Sequence, residues 1–228
     1  MTGRRSIKRR PHVVGVIASL ADLKRALRIR RRPDFFELRL DRLEDVADRV
    51  EKVLPKLRAP LIITARHHQE GGAGELRLRQ RRDLLARFLS HADYIDVELR
   101  SRGELKSLLK LAENKGVRRI ISFHNFKSTP SLRILSLKAR EARACGADIF
   151  KLATRTDTPL ELGRLLEFMT SSRLDLALAV MGIGKLGAIS RILLARAGSV
   201  LIYASLSTAT DVEGQLSLEQ LRPLGFGP

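Results

Sequence analysis

The chain has 228 residues, 44% of them hydrophobic, one cysteine and a formal net charge of +18. That length and apolar content support a sizeable core, no run of about 18 apolar residues is present to span a membrane, and a lone Cys145 excludes an intramolecular disulfide and a cysteine-based zinc site, which points to a reducing, cytoplasmic setting. The charge raises nucleic-acid binding as a class, but the cations are spread along the chain and two Tyr with no Trp leave few platforms for stacking bases, so a solvated surface and no nucleic-acid partner are expected.

Residues 1–11 form a basic arm with no apolar segment behind it, unlike a secretory signal. Beyond it, short apolar runs alternate with stretches of helical spacing. His12–Ser19 precedes Ala21–Arg30, Phe35–Leu40 precedes Leu43–Leu57, and Leu61–Ala65 precedes Leu76–Ser90. Tyr94–Leu99 precedes Arg102–Lys115, and Arg119–Phe123 precedes Ser131–Cys145. Asp148–Ala153 precedes Pro159–Ser171, Asp175–Val180 precedes Ala188–Ala197, and Val200–Tyr203 precedes the short Ser217–Leu221. Strands that alternate with helical patterns indicate βαβ units and a parallel sheet. Eight units of about 28 residues predict a single α/β domain over 1–228, a closed (β/α)8 TIM barrel. The alternative, a doubly wound open sheet, would carry a glycine-rich phosphate loop after its first strand, and Ala18-Ser19-Leu20-Ala21 is not one. Glycines cluster at Gly71-Gly72-Ala73-Gly74 and from Gly182 to Gly187. Both clusters suit active-site loops or plain βα turns with positive φ. The second lacks the ending of a phosphate loop, because Leu186 follows Lys185.

A barrel of this kind builds its site at the C-terminal ends of its strands, and the unusual polar residues fall there. Glu37, Arg39 and Asp41 share one strand face while Leu38 and Leu40 share the other. Arg66 and Glu70 follow strand three, Asp96 and Glu98 share a face of strand four, and His124 ends strand five. Lys185, Ser190 and Arg191 follow strand seven, and Gln215 follows strand eight. Singly, each has a bland reading, such as a structural ion pair for Glu37 and Arg39 or a satisfied loop histidine for His124. Together they are harder to dismiss, because buried ion pairs at best roughly break even and so have no stability motive. Lys151 is the sharpest case. It lies within the apolar run Asp148–Ala153, with Ile149 and Ala153 on its own face. Burial should push its amine well below roughly 10.4, and a neutral amine can form a Schiff base with a ketone. The bland reading is a snorkelling lysine at a strand end.

Several segments, in this order and spacing, carry a family resemblance. They are Glu37-Leu38-Arg39-Leu40-Asp41, Thr64-Ala65-Arg66 with Glu70-Gly71-Gly72, Tyr94-Ile95-Asp96-Val97-Glu98 and Ser122-Phe123-His124-Asn125-Phe126. Lys151, Met181-Gly182, Gly187-Ala188-Ile189-Ser190-Arg191 and Gly214-Gln215 complete the set. From about Val13 to Gln215 the chain resembles type I 3-dehydroquinate dehydratase, a lyase of the shikimate pathway of aromatic amino-acid biosynthesis. The resemblance implies dehydration of 3-dehydroquinate to 3-dehydroshikimate through an imine, with no metal or cofactor, in a homodimer. It implies that Lys151 forms the imine, that His124 is the general acid and base, and that Glu70 orients it. It further implies that Arg191 and Gln215 bind the substrate carboxylate region, that Glu37, Arg39 and Arg66 hold ring hydroxyls, and that Asp96 and Glu98 lie in a polar network beneath. Ser19 is a further candidate substrate contact. One departure stands out: the family usually has Ser or Thr four residues before the glutamine, where this chain has Asp211, unless Thr210 or Thr208 takes the role. A class I aldolase would share Lys151 and break a carbon–carbon bond instead. A basic nucleic-acid-binding module explains neither Lys151 nor His124.

Overall fold

The structure, a computed structural model, describes residues 10–172, 174–207 and 212–227. The basic arm up to residue 9 and the positions Thr208, Thr210 and Asp211 lie outside the described residues. The first half of the chain runs β1 (His12–Ile17), α1 (Leu20–Arg28), β2 (Phe35–Arg39), α2 (Leu40–Leu43), α3 (Ala47–Val53), β3 (Leu61–Thr64), α4 (Leu78–Phe88), β4 (Tyr94–Glu98) and α5 (Lys106–Asn114). The second half runs β5 (Arg118–Asn125), α6 (Leu132–Ala144), β6 (Ile149–Arg155), α7 (Pro159–Ser171), β7 (Ala177–Ile183), α8 (Gly187–Ala197), β8 (Leu201–Ser205), β9 (Leu216–Ser217) and α9 (Leu218–Leu221).

All nine strands belong to one parallel sheet, in the order β7-β6-β5-β4-β3-β2-β1-β8-β9. It curls into the (β/α)8 barrel that the eight repeats imply. First and last barrel strands are laddered, His12 to Val16 of β1 against Leu201 to Ser205 of β8. Among the described residues no ladder joins β7 to β8. That seam is crossed by the Val200 N–H, which donates to the Leu178 carbonyl at 2.8 Å. A side chain helps: the Ser199 hydroxyl accepts from the Val180 N–H at 2.9 Å and donates to the Leu201 carbonyl at 3.1 Å.

Alternation along the strands divides the core in two. Leu38, Ile63, Ile95, Val97, Ile121, Phe150 and Leu152 point outward and pack beneath the helices. Phe35, Ile62, Tyr94, Ile120, Ile149, Ala179 and Leu201 point inward and fill the barrel floor. Strands buried on both faces read as the continuous apolar runs seen in the sequence. α7 has the bounds its sequence predicts. Pro159 opens it, and Thr158 and Glu161 form a reciprocal capping box.

Several element bounds differ from expectation. The single helix expected over Leu43–Leu57 is broken into α2 and α3 by a tight turn at Glu44–Val46, and Pro55 sits in another just after α3. α2 begins directly after β2, which carries Asp41 into the barrel mouth. There it accepts from the Arg66 and Ala73 N–H groups at 3.1 and 3.0 Å. β5, β6, β7 and β8 also run further than expected, to Asn125, Arg155, Ile183 and Ser205, pairing His124 with Ala153 and Asn125 with Thr154. Backbone pairing is indifferent to the polar side chains that marked the strand ends in the sequence.

Candidate active site

At the C-terminal end of the barrel the inward-facing residues change from apolar to charged. Lys151, on β6, is 4% exposed. Its Nζ donates to Glu37 on β2 at 3.1 Å and to Asp96 on β4 at 2.9 Å, and it lies 3.9 Å from the centre of the Tyr203 ring on β8. The apolar setting expected for this lysine is therefore corrected. Ile149 and Ala153 do share its face, but long-range register places two carboxylates against its head. Thr64 donates to the same Glu37 oxygen at 2.9 Å.

Arg66 extends this network. Its guanidinium donates to Asp96 at 2.8 and 3.2 Å, to Glu98 at 3.2 Å and to the Ser122 hydroxyl at 2.6 Å. Burial opposes the Arg66 charge, but Asp96 and Glu98 outweigh it and hold the guanidinium well above its ordinary range. Burial likewise opposes ionisation of Asp96, and Arg66 and Lys151 hold it below the usual carboxylate range. Arg66 lies on the cavity wall but chiefly binds carboxylates of its own chain.

His124 and Glu70 form a pair. Glu70 Oε2 lies 2.9 Å from His124 Nδ1 and accepts from the His124 backbone N–H at 3.0 Å. Burial pushes the imidazole well below its ordinary value, helped by the positive charges of Arg66 and Lys151. Burial also pushes the Glu70 carboxyl up to about 7, opposed by Arg66 and assisted by Glu98. The pair thus holds a neutral ring beside an acid poised near neutrality. The loop that carries Glu70 turns back tightly: a Cβ on Gly72 would lie 2.2 Å from the Arg66 carbonyl oxygen.

These groups share one cavity of about 380 Å³, a size suited to a small ligand. Glu37, Arg39, Glu70, His124, Lys151, Arg191 and Gln215 line it. Arg191, on α8, is buried, and among the described residues no carboxylate pairs with it. Its Nη1 meets the Met181 sulfur at 3.5 Å, and its Nε has no hydrogen-bond partner. Burial alone lowers its pKa to about 10. A buried cation on a cavity wall, with no counter-ion among the described residues, suits an anionic ligand. Gln215 reaches the wall because its chain segment folds onto the β7 loop: Gly214 abuts Gly187 so closely that a Cβ would lie 2.6 Å from the Gly187 Cα, and Glu213 pairs with Arg155 at 3.4 Å.

One placement differs from the sequence reading, and one residue has additional partners. Ser19 is not on the cavity wall. It is the N-cap of α1, accepting from the Asp22 N–H at 3.1 Å and donating to the Asp22 carboxylate at 2.8 Å. Arg39 is on the wall, but it also holds Asp41 through two hydrogen bonds (3.0 and 2.7 Å) and donates to the Gly71 carbonyl at 2.9 Å. Asp96 and Glu98 are fully inside, and Asp96 touches Lys151 directly. Ser190 supports the β7 loop, accepting from the Gly182 N–H and donating to the Gly187 carbonyl. Sequence reasoning missed Tyr203, Ser122 and Arg81. Arg81 departs from the solvated surface expected of the basic composition: it is 2% exposed and pairs with Glu98. Among the described residues no group of three or more His, Cys, Asp or Glu is arranged to hold a metal.

Comparison with known proteins matches residues 13–224 to the family model of type I 3-dehydroquinase. The 3-dehydroquinate dehydratase of Pyrococcus abyssi is 34% identical over 193 residues, covering 83% of this chain and 85% of its own length. That of a Geobacillus species is 33% identical over 206 residues, covering 85% and 79%. Among solved structures, the 3-dehydroquinate dehydratase of Geobacillus kaustophilus aligns with a TM-score of 0.85 at 26% identity, covering 95% of this chain and 90% of that one. The type I enzyme of Clostridium difficile, solved with covalently modified comenic acid, aligns with a TM-score of 0.85 at 27% identity, covering 94% and 90%.

Proposed function

The chain belongs to the type I 3-dehydroquinase family, lyases that dehydrate 3-dehydroquinate in the shikimate pathway, and from that premise we propose that dehydration here runs through an imine on Lys151. The observation that carries the reading is the shared cavity: a buried lysine, a neutral histidine held by a carboxyl group, and a buried guanidinium with no counter-ion among the described residues. The Clostridium difficile relative with its covalently modified acid supports a covalent route.

In this reading the Lys151 amine, after passing its proton on, adds to the substrate ketone, and water leaves to give an iminium. The iminium draws electrons from the adjacent C–H bond. His124, neutral through burial and bonded at Nδ1 to Glu70, takes that proton at Nε2, and a neutral enamine forms. The enamine expels the β-hydroxyl, to which the imidazolium returns its proton, so a second water leaves and the ring gains a double bond. Hydrolysis of the conjugated iminium releases the enone and restores the amine. Arg191 binds the substrate carboxylate through the two-pronged geometry that lysine lacks. Gln215, Arg39 and Glu37 offer polar contacts to the rest of the ring. Asp96 and Glu37 orient Lys151 and balance the charge of its iminium.

The test is borohydride trapping with 3-dehydroquinate, followed by intact mass and peptide mapping. A reduced adduct on Lys151, absent from Lys151→Ala, is expected. Turnover by Lys151→Ala at close to the wild-type rate would refute the role.

A further inference from the structure

Beneath the cavity the ion pairs form an unbranched alternating chain: Glu37, Lys151, Asp96, Arg66, Glu98, Arg81. All six members are buried. Four come from the barrel strands, and Arg66 lies two residues after β3. The sixth, Arg81, comes from α4 outside the sheet and is not on the cavity wall. Its Nη2 pairs closely with Glu98, its Nε donates to the Ala65 carbonyl at 2.8 Å, and its Nη1 donates to Ser101 at 3.2 Å. The Ala65 carbonyl belongs to the residue just before Arg66, so one guanidinium fixes both Glu98 and the backbone from which Arg66 departs.

We propose that Arg81 is a positioning residue for the dehydration: it closes the buried chain as three cations against three carboxylates and so keeps Lys151 free to release its proton. Without Arg81 the chain carries a net negative charge, and a negative surrounding holds an ammonium proton more tightly. Imine formation needs the neutral amine. The groups that face Lys151 are Glu37 from β2, Asp96 from β4 and the Tyr203 ring from β8, with His124 from β5 and Arg66 after β3 acting across the same space. Those that face Glu98 are Arg66, Arg81 and the His67 N–H, with Glu70 nearby. None of the others can replace Arg81, because the remaining cations of the chain already lie between two carboxylates.

The inference rests on the imine reading, so wild-type trapping at Lys151 is the first control, and its absence would end that reading before Arg81 is tested. The measurement is the pH dependence of kcat/KM and of the borohydride-trapped fraction. Arg81→Gln should move the acid limb to higher pH by about half a unit or more, and Arg81→Lys should bring it back. Glu98→Gln, which leaves the chain net positive, should move the limb the other way. The double variant Arg81→Gln/Glu98→Gln is neutral again and should return close to wild type, which keeps the test open if Arg81→Gln alone does not fold. Profiles that stay superimposed while only rate or melting temperature falls would make Arg81 a merely structural residue and overturn the proposal. So would shifts of one sign in both single variants.

Discussion

Replacing Arg191 by methionine should stabilise the free protein and cripple the enzyme, and both effects can be sized. Burial lowers the guanidinium from roughly 12.5 to about 10. At about 1.4 kcal/mol per pH unit, holding that charge costs the fold about 3 kcal/mol. The sign follows from the direction: a base with a depressed folded pKa is destabilising wherever it is charged, so the cost is complete at neutral pH and fades only as pH rises past about 10. Methionine keeps an unbranched apolar stem beside its neighbour Met181 without the charge. A gain of about 3 kcal/mol in a chain of this size corresponds to roughly 6–12 °C in Tm, and lost contacts of the guanidinium stem bring the expectation to about 5–10 °C. Removing one partner of a buried charge pair costs about 2–5 kcal/mol in the complex, so kcat/KM should fall about 10²–10³-fold. Thermal unfolding without ligand, alongside enone absorbance with 3-dehydroquinate, reads both. A substrate-like anion at about 100 times its Kd should raise the wild-type stability by about 2.7 kcal/mol and leave the variant unmoved. A lower Tm, or kcat/KM within a few-fold of wild type, would refute the assignment of Arg191 as a bare anion site.

Lys151→Ala has the opposite stability sign, because it leaves Glu37 and Asp96 without their cation; a loss of about 3–5 kcal/mol should appear in denaturant titration together with loss of trapping. Glu70→Gln tests the raised carboxyl: the fold's preference for the protonated form contributes stability that is complete below 4.5 and lost as pH rises through about 7. The variant should therefore melt above wild type at pH 8, by up to about 3 kcal/mol, with the gap closing toward pH 4.5. His124→Ala should still form a trappable imine but release product slowly; absence of any adduct in mass spectra would place His124 earlier in the reaction. Gly72→Ala forces a Cβ against the Arg66 carbonyl, and a drop in Tm with loss of turnover should follow, since the loop it belongs to holds Glu70.

The barrel was legible because its evidence is local. Period-two alternation put Glu37 and Arg39 on one side of β2 and Leu38 on the other, and the structure has them so. The partners of Lys151 were not legible, since Glu37 and Asp96 lie 114 and 55 residues away in sequence and meet it only when the sheet curls. Ser19 shows a competing signal that could have been read: an Asp three residues on makes a helix cap, and the cap engages the hydroxyl. Arg81 was hidden among neighbouring arginines. Its position four residues before Leu85 and seven before Phe88 puts it on the inward stripe of α4, which is the clue that separates it from the solvated ones.

The join between β7 and β8 divides the wall of the cavity. Lys151 stands on one side of it, the Tyr203 ring that faces its amine on the other, and among the described residues a single peptide hydrogen bond with one serine hydroxyl spans the gap. Everywhere else around the ring a continuous ladder resists opening, including where the first strand meets the last. The cylinder should therefore breathe at this place, and amide exchange at Val180 and Val200 should run ahead of that at neighbouring strand positions. Occupation of the cavity, by tying Lys151 through a bound molecule to the Arg191 side, would slow exchange at these two amides more than elsewhere, making them a built-in gauge of whether the site is filled.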